Sequence, residues 1–141
     1  MIVVDASVLS AALIDDGDVG QTARDRLASE RLMAPALIDI EVLSAFRSFV
    51  ASELVTADRA RLAVGELADA TIGRAPHASL LMRCWELRHN VTPYDAAYVA
   101  LAELTKSVLL TADGRLARAP GIRCEVEVLV VPPEPIKPPS Q

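Results

Sequence analysis

Ile2-Val3-Val4 is an unbroken apolar run that stops at an acid, Asp5. A second run of the same kind, Val108-Leu109-Leu110-Thr111, is followed closely by Asp113. Aliphatic and β-branched runs without alternation predict strands covered on both faces, as in a parallel sheet. Open parallel sheets carry their functional groups just beyond the carboxyl ends of the strands. Two strands that each deliver an acid to that edge point to a metal site.

The remaining pattern alternates helices with strands. Helices are predicted over 8–14, capped by Ser7, over 19–29 beyond a polar loop at 15–18, and over 37–53. Thr56 caps another over 57–70, Pro76 opens one that runs to about His89, and Thr92-Pro93 starts one that ends near Leu104. Strands are predicted over 2–4, over 32–34 up to Pro35, over 72–75, over 108–111 and over 125–131, with a helical turn over 114–118. This order predicts a three-layer α/β/α sandwich around a central, mostly parallel sheet with right-handed crossovers. One domain over 1–131 is expected, followed by a proline-rich tail over 132–141 that reads as extended and mobile.

Bulk composition narrows the class. The chain has 141 residues, 52% of them hydrophobic, which suits a single domain with a real core. No stretch is long and apolar enough for a membrane span, and Met1 leads directly into the strand ending at Asp5, so a cytoplasmic protein without a signal peptide is expected. Cys84 and Cys124 form no CxxC pair, and His77 and His89 lack zinc spacing. Buried or half-buried thiols are the expectation, with a disulfide between them left open. Net charge is -5, from 14 basic and 19 acidic residues, so overall charge does not mark a nucleic-acid binder; two divalent ions would bring -5 to -1. All basic residues but Lys106 and Lys137 are arginine. Arginine suits bidentate phosphate contacts, and codon bias explains the same excess.

Other acids stand where a core is expected. In the helix over 37–53, positions 37, 38, 41, 42, 45, 46, 49 and 50 share a face and read Leu, Ile, Glu, Val, Ala, Phe, Phe and Val. Glu41 therefore interrupts the stripe facing the sheet. A buried carboxylate needs a cation or several donors; an arginine partner, or a helix turned toward water, would also resolve the conflict. Asp95 occupies the first turn after Thr92, where acids are common because free N–H groups and the helix dipole favour them. Its neighbours Tyr94, Ala97, Tyr98, Leu101 and Leu104 nevertheless mark a buried helix. Asp113 reads equally as a turn residue before Gly114. Brought to one sheet edge, the four carboxylates would repel one another unless a cation neutralised them. Oxygen donors alone favour Mg²⁺ or Mn²⁺ over zinc.

At these residues the chain resembles the PIN-domain family, and among its members the VapC ribonuclease toxins of bacterial toxin–antitoxin pairs. The resemblance is carried by Val4-Asp5-Ala6-Ser7-Val8-Leu9, by Pro35 through Glu41, by Thr92-Pro93-Tyr94-Asp95-Ala96-Ala97-Tyr98-Val99-Ala100-Leu101-Ala102, and by Leu110-Thr111-Ala112-Asp113-Gly114-Arg115-Leu116. It implies that Asp5, Glu41, Asp95 and Asp113 are the catalytic acids and metal ligands, with the hydroxyls of Ser7 and Thr111 beside them. Some relatives carry a further acid two positions beyond the last aspartate; Arg115 stands there in this chain. The implied activity is Mg²⁺- or Mn²⁺-dependent hydrolysis of RNA by an endoribonuclease toxin, leaving a 5′-phosphate. Asp5 and Asp95 would be the main ligands, with Glu41 and Asp113 completing the shell or positioning the water. The resemblance also implies a VapB antitoxin lying across the groove, homodimers and toxin–antitoxin hetero-oligomers. The apolar stretch over 45–55, with Phe46 and Phe49, serves either interface or plain core packing. Arg47, Arg115 and Arg118 are candidates for RNA phosphate contact, or solvated surface residues. An aspartyl-phosphate transferase would need an acid two positions after Asp5, where Ser7 stands, and a receiver domain would need an acid pair before the first helix and a late lysine, neither of which is in place. The rival reading is a non-catalytic PIN-like module that binds RNA or protein.

Overall fold

The computed structural model describes residues 1–130, so the expectations for Val131 and for the tail over 132–141 lie outside the described residues. Five short strands form one sheet: β1 (Ile2–Val4), β2 (Leu32–Pro35), β3 (Ile72–Ala75), β4 (Val108–Thr111) and β5 (Val126–Val128). Their order is β3-β2-β1-β4-β5, and every neighbouring pair is parallel. Among the described residues seven helices flank the sheet as the outer layers of an α/β/α sandwich: α1 (Ala6–Ile14), α2 (Asp18–Leu27), α3 (Ile38–Ala51), α4 (Ala57–Asp69), α5 (Leu81–Glu86), α6 (Pro93–Thr105) and α7 (Gly114–Ala117). No helix among the described residues is long and apolar enough to cross a membrane.

The unbroken apolar runs do what their composition requires. Val3, Val4, Leu109 and Leu110 are fully buried, covered from both sides by helices. The α6 run Ala96 to Ala102 is buried throughout, and the predicted stripe of α3 faces inward through Ile38, Val42 and Phe46. Phe46 is therefore core rather than an interface residue, whereas Phe49 is half-buried.

The chain winds outward from β1 to β3, then returns to lay β4 against the other side of β1. This reversal creates the crevice at which open α/β sheets place their chemistry. Register fixes it: Val4 pairs with Leu110, and the Asp5 N–H donates to the Leu110 carbonyl at 3.1 Å. Asp5 and Thr111 thus leave the sheet side by side.

Several boundaries differ from expectation for local physical reasons. α1 begins at Ala6 and its cap is Asp5, not Ser7. Pro35 belongs to β2, because β1 registers only with Leu32 and Met33 and asks nothing of a proline N–H beyond them. The helix expected from Pro76 starts late, as a single 3₁₀ turn (Ala78–Leu80) leading into α5. His77 is held elsewhere: its Nε2 accepts the Leu37 N–H at 3.0 Å, tying the loop after β3 to the loop after β2. β5 is shorter than predicted, its last paired residue being Val128 opposite Thr111. Cys84 and Cys124 are both half-buried and free, so no disulfide joins them.

Candidate active site

Asp5 sits at the end of β1 with only 8% of its surface exposed. Oδ1 accepts the Val8 N–H at 3.2 Å, which caps α1, and the Ser7 hydroxyl at 2.5 Å. Oδ2 accepts the hydroxyl of Thr111, a fully buried residue at the end of β4. Both hydroxyls are themselves acceptors. Ser7 Oγ takes the Ala112 N–H at 3.1 Å and Thr111 Oγ1 takes the Asp113 N–H at 3.0 Å. Two side chains therefore bolt the turn after β4 to the acid after β1. Burial pushes the Asp5 carboxyl above its usual range, against the opposing pull of the Ser7, Thr111 and backbone donors.

Glu41 stands in the first turns of α3, half-buried. Among the described residues no arginine pairs with it. Its Oε1 accepts the Tyr98 hydroxyl at 2.6 Å. Burial raises this carboxyl, and the charges of Asp95 and Asp5 raise it further, while the Tyr98 bond pulls it down. The Tyr98 hydroxyl is in turn pushed well up, first by burial and then by Glu41.

Asp95 enters through α6. Thr92 caps that helix by accepting the Asp95 N–H at 3.3 Å, and Pro93 fills the first position. Its half-buried carboxyl is raised by burial first and by the charge of Asp113 next, with Thr92 and Arg115 opposing. Asp113 behaves oppositely. It caps α7 by accepting the Arg115 N–H at 2.9 Å, and the Arg115 guanidinium donates to both of its oxygens at 3.2 and 3.3 Å. Arg115 holds the Asp113 carboxyl below the usual range, and Arg118 adds to the effect.

Thr111 joins Asp5 to the Asp113 backbone at the β1/β4 crevice, Glu41 feels the charges of Asp95 and Asp5, and Asp95 feels that of Asp113. Among the described residues only Asp113 of the four is matched with a guanidinium. Among the described residues no three Asp, Glu, His or Cys side chains stand close enough to hold one ion together. The donor set is nonetheless hard oxygen throughout, and Mg²⁺ commonly takes one or two carboxylates and keeps several waters rather than requiring a closed protein cage. The acids that could contribute are Asp5, Glu41, Asp95 and Asp113.

Two of the arginine candidates, Arg115 and Arg118, lie at this site. Arg47 does not: it is exposed in a separate groove between α3 and α4, beside Leu43 and Val64. A groove of about 530 Å³ runs past Asp95 and Asp113, with Arg88, His89 and Arg115 along it. A larger, mostly apolar cleft of about 690 Å³ opens among α1, α2 and the end of α3, lined by Ile14, Val19, Phe49, Leu54 and Val55, and reaches the acids only through Ser7. The larger space is not where the chemistry converges. Tyr98 is the site residue that sequence reasoning treated only as core. Its spacing of three from Asp95 put it on the same helical face, the one signal available.

The PIN domain is the family whose sequence pattern matches residues 2–122. The chain belongs to the PIN-domain family. This PIN domain is 42% identical to ribonuclease VapC1 of Mycobacterium tuberculosis over 128 residues, covering 90% of this chain and 96% of the relative. It is 40% identical to VapC ribonuclease Mb0985 of Mycobacterium bovis over 129 residues, covering 92% and 98%. The crystal structure of Mycobacterium tuberculosis VapC20, described as a sarcin–ricin loop cleaving toxin, superposes with a TM-score of 0.65 at 20% identity, covering 94% of this chain and all of that one. That likeness speaks for the fold of the PIN domain alone.

Proposed function

We propose that this PIN domain is a metal-dependent endoribonuclease toxin that hydrolyses RNA phosphodiester bonds. The observation that carries the reading is the meeting of Asp5, Glu41, Asp95 and Asp113 at the β1/β4 crevice. Burial holds Asp5, Glu41 and Asp95 above their usual range, and the charges of neighbouring acids add to the effect at Glu41 and Asp95, a condition that a bound cation would relieve. The VapC ribonucleases that the chain resembles along nearly its whole length support it. A bound Mg²⁺ or Mn²⁺ would supply an acidified water and an electrostatic partner for the phosphate. Asp5 and Asp95 would hold it, with Glu41 and Asp113 orienting the attacking water. Ser7 and Thr111 keep Asp5 fixed, and Arg115 and Arg118 offer phosphate contacts along the groove. Arg115 would then exchange Asp113 for substrate.

A VapB-type antitoxin fits the same surface. The apolar cleft offers a seat for a nonpolar helix, and its Ser7 end leads to the acids. Homodimers and toxin–antitoxin hetero-oligomers follow from the same family reading, in the cytoplasm. A non-catalytic binding module is the second reading, favoured by Asp113 being already paired with Arg115 and by the lack of a three-acid ion cage among the described residues.

Asp5→Asn separates the two. It should reduce Mg²⁺-dependent RNA cleavage at least about a hundredfold, since even outer partners of metal ligands cost 10–100-fold. It should also abolish growth inhibition on induction, while the fold and antitoxin binding survive. Cleavage by Asp5→Asn at the parent rate, or none by the parent with Mg²⁺ or Mn²⁺, would favour the binding module. Sequencing of RNA ends after induction would name the target.

A further inference from the structure

Tyr98 lies on α6 one turn beyond Asp95 and is almost wholly buried, with 2% of its surface exposed. A phenol taken out of water needs a partner for its hydroxyl. Here the partner is Oε1 of Glu41, 2.6 Å away and 57 positions distant in sequence. At that separation an O–H donor to a carboxylate belongs among the strong hydrogen bonds. Glu41 has a long, flexible side chain, and no other side chain or backbone group donates to it among the described residues. Asp5 and Asp95 stand close enough to repel it. Without the phenol, a half-buried carboxylate beside two like charges would swing toward water.

We propose that Tyr98 is a positioning residue whose hydroxyl holds the Glu41 carboxylate beside Asp5 and Asp95, preset for a divalent ion and its water. The role rests on the metal-dependent ribonuclease reading given above. It explains why the buried run Ala96 to Ala102, otherwise alanine, valine and leucine, carries one polar ring, and why that ring lies three residues from Asp95.

Tyr98→Phe removes the oxygen and keeps the ring. With Mn²⁺ alone as probe, calorimetric titration should show affinity falling about tenfold, the lower end of the range for outer partners of metal ligands. RNA cleavage should fall more at limiting than at saturating Mn²⁺. In a Glu41→Gln background the same substitution should change Mn²⁺ affinity by less than about twofold, because the acid it acts through is gone. Unchanged affinity in the parent background, or equal losses in both backgrounds, would reduce Tyr98 to core packing and overturn the proposal. A second measurement avoids altering the core. The chain has two tyrosines, Tyr94 at 63% exposure and the buried Tyr98, so Cζ-labelled tyrosine gives a resonance for each, assigned with Tyr94→Phe. The Tyr98 resonance should move on adding Mg²⁺ and on Glu41→Gln; indifference to both overturns the role. A parent protein that neither binds Mn²⁺ nor cuts RNA defeats the ribonuclease reading and this role with it. A parent that does both, matched by Tyr98→Phe, defeats the role alone.

Discussion

Thr111 shows how much one hydroxyl does in this molecule. It is fully buried, donates to Asp5 and accepts from the Asp113 backbone, so a single oxygen joins two of the four acids. Thr111→Val keeps the shape and removes that oxygen. A buried carboxylate oxygen then loses a donor and the Asp113 N–H loses its acceptor, which should cost about 1–3 kcal/mol in urea denaturation. On the proposed metal-dependent reading, RNA cleavage should fall about 10–100-fold, the range for groups that orient metal ligands. Full activity with lowered stability would show that Thr111 braces the fold without setting the acid. Ser7 illustrates what sequence reading leaves undecided at this scale. Asp5 and Ser7 are both good capping residues, two positions apart, and spacing does not choose between them. The choice falls to Asp5 because the β1–β4 register holds its backbone in line with the sheet.

Helices deliver the acids, and their starts and contacts can be tested one at a time. Thr92→Ala removes the α6 cap and should cost about 1 kcal/mol, typical for a lost Ser or Thr cap. Asp95 sits in the turn that would fray, so cleavage should drop as well; thermal denaturation and an RNA assay together check both. Gly20 governs the approach of α2 to α1. A Cβ built there would lie 1.8 Å from the Asp15 carbonyl oxygen, a backbone atom that yields only if the helices part. Gly20→Ala should therefore destabilise by about 1–3 kcal/mol, the usual cost of overpacking, and a neutral result in urea denaturation would mean that the α1–α2 joint is soft. Elements were the most legible level. Unbroken apolar runs marked β1 and β4, Thr56 and Thr92 marked helix starts, and the stripe over 37–50 marked the inner face of α3. Illegible were contacts that depend on distant segments: Glu41 meeting Tyr98 and His77 catching the Leu37 N–H, which delays the helix after Pro76.

For the whole molecule, the raised acids couple stability to pH. Asp5, Glu41 and Asp95 have raised carboxyls, so the folded chain holds protons more tightly than the unfolded one. Their effect is most favourable below the ordinary carboxylate range, and stability falls as pH climbs from about 4 through the raised folded values. Asp113 has the opposite sign: its contribution is present above its unfolded value and is lost as pH falls through its lowered one. On the proposed metal-dependent reading, a divalent ion would bind the deprotonated acids and reverse the larger loss, adding about 2.7 kcal/mol at a hundred times its dissociation constant. Melting curves should show Mn²⁺ stabilising the chain at about pH 7 and doing little at about pH 4; equal shifts at both would place the ion elsewhere. The sheet order has a consequence in time. Asp5 emerges first during synthesis, yet its neighbour Thr111 comes 106 residues later. A ribosome paused anywhere before β4 carries a nascent chain in which Asp5 has not yet met Thr111, so on the proposed reading the ribonuclease cannot act until β4 has been made and has paired with β1.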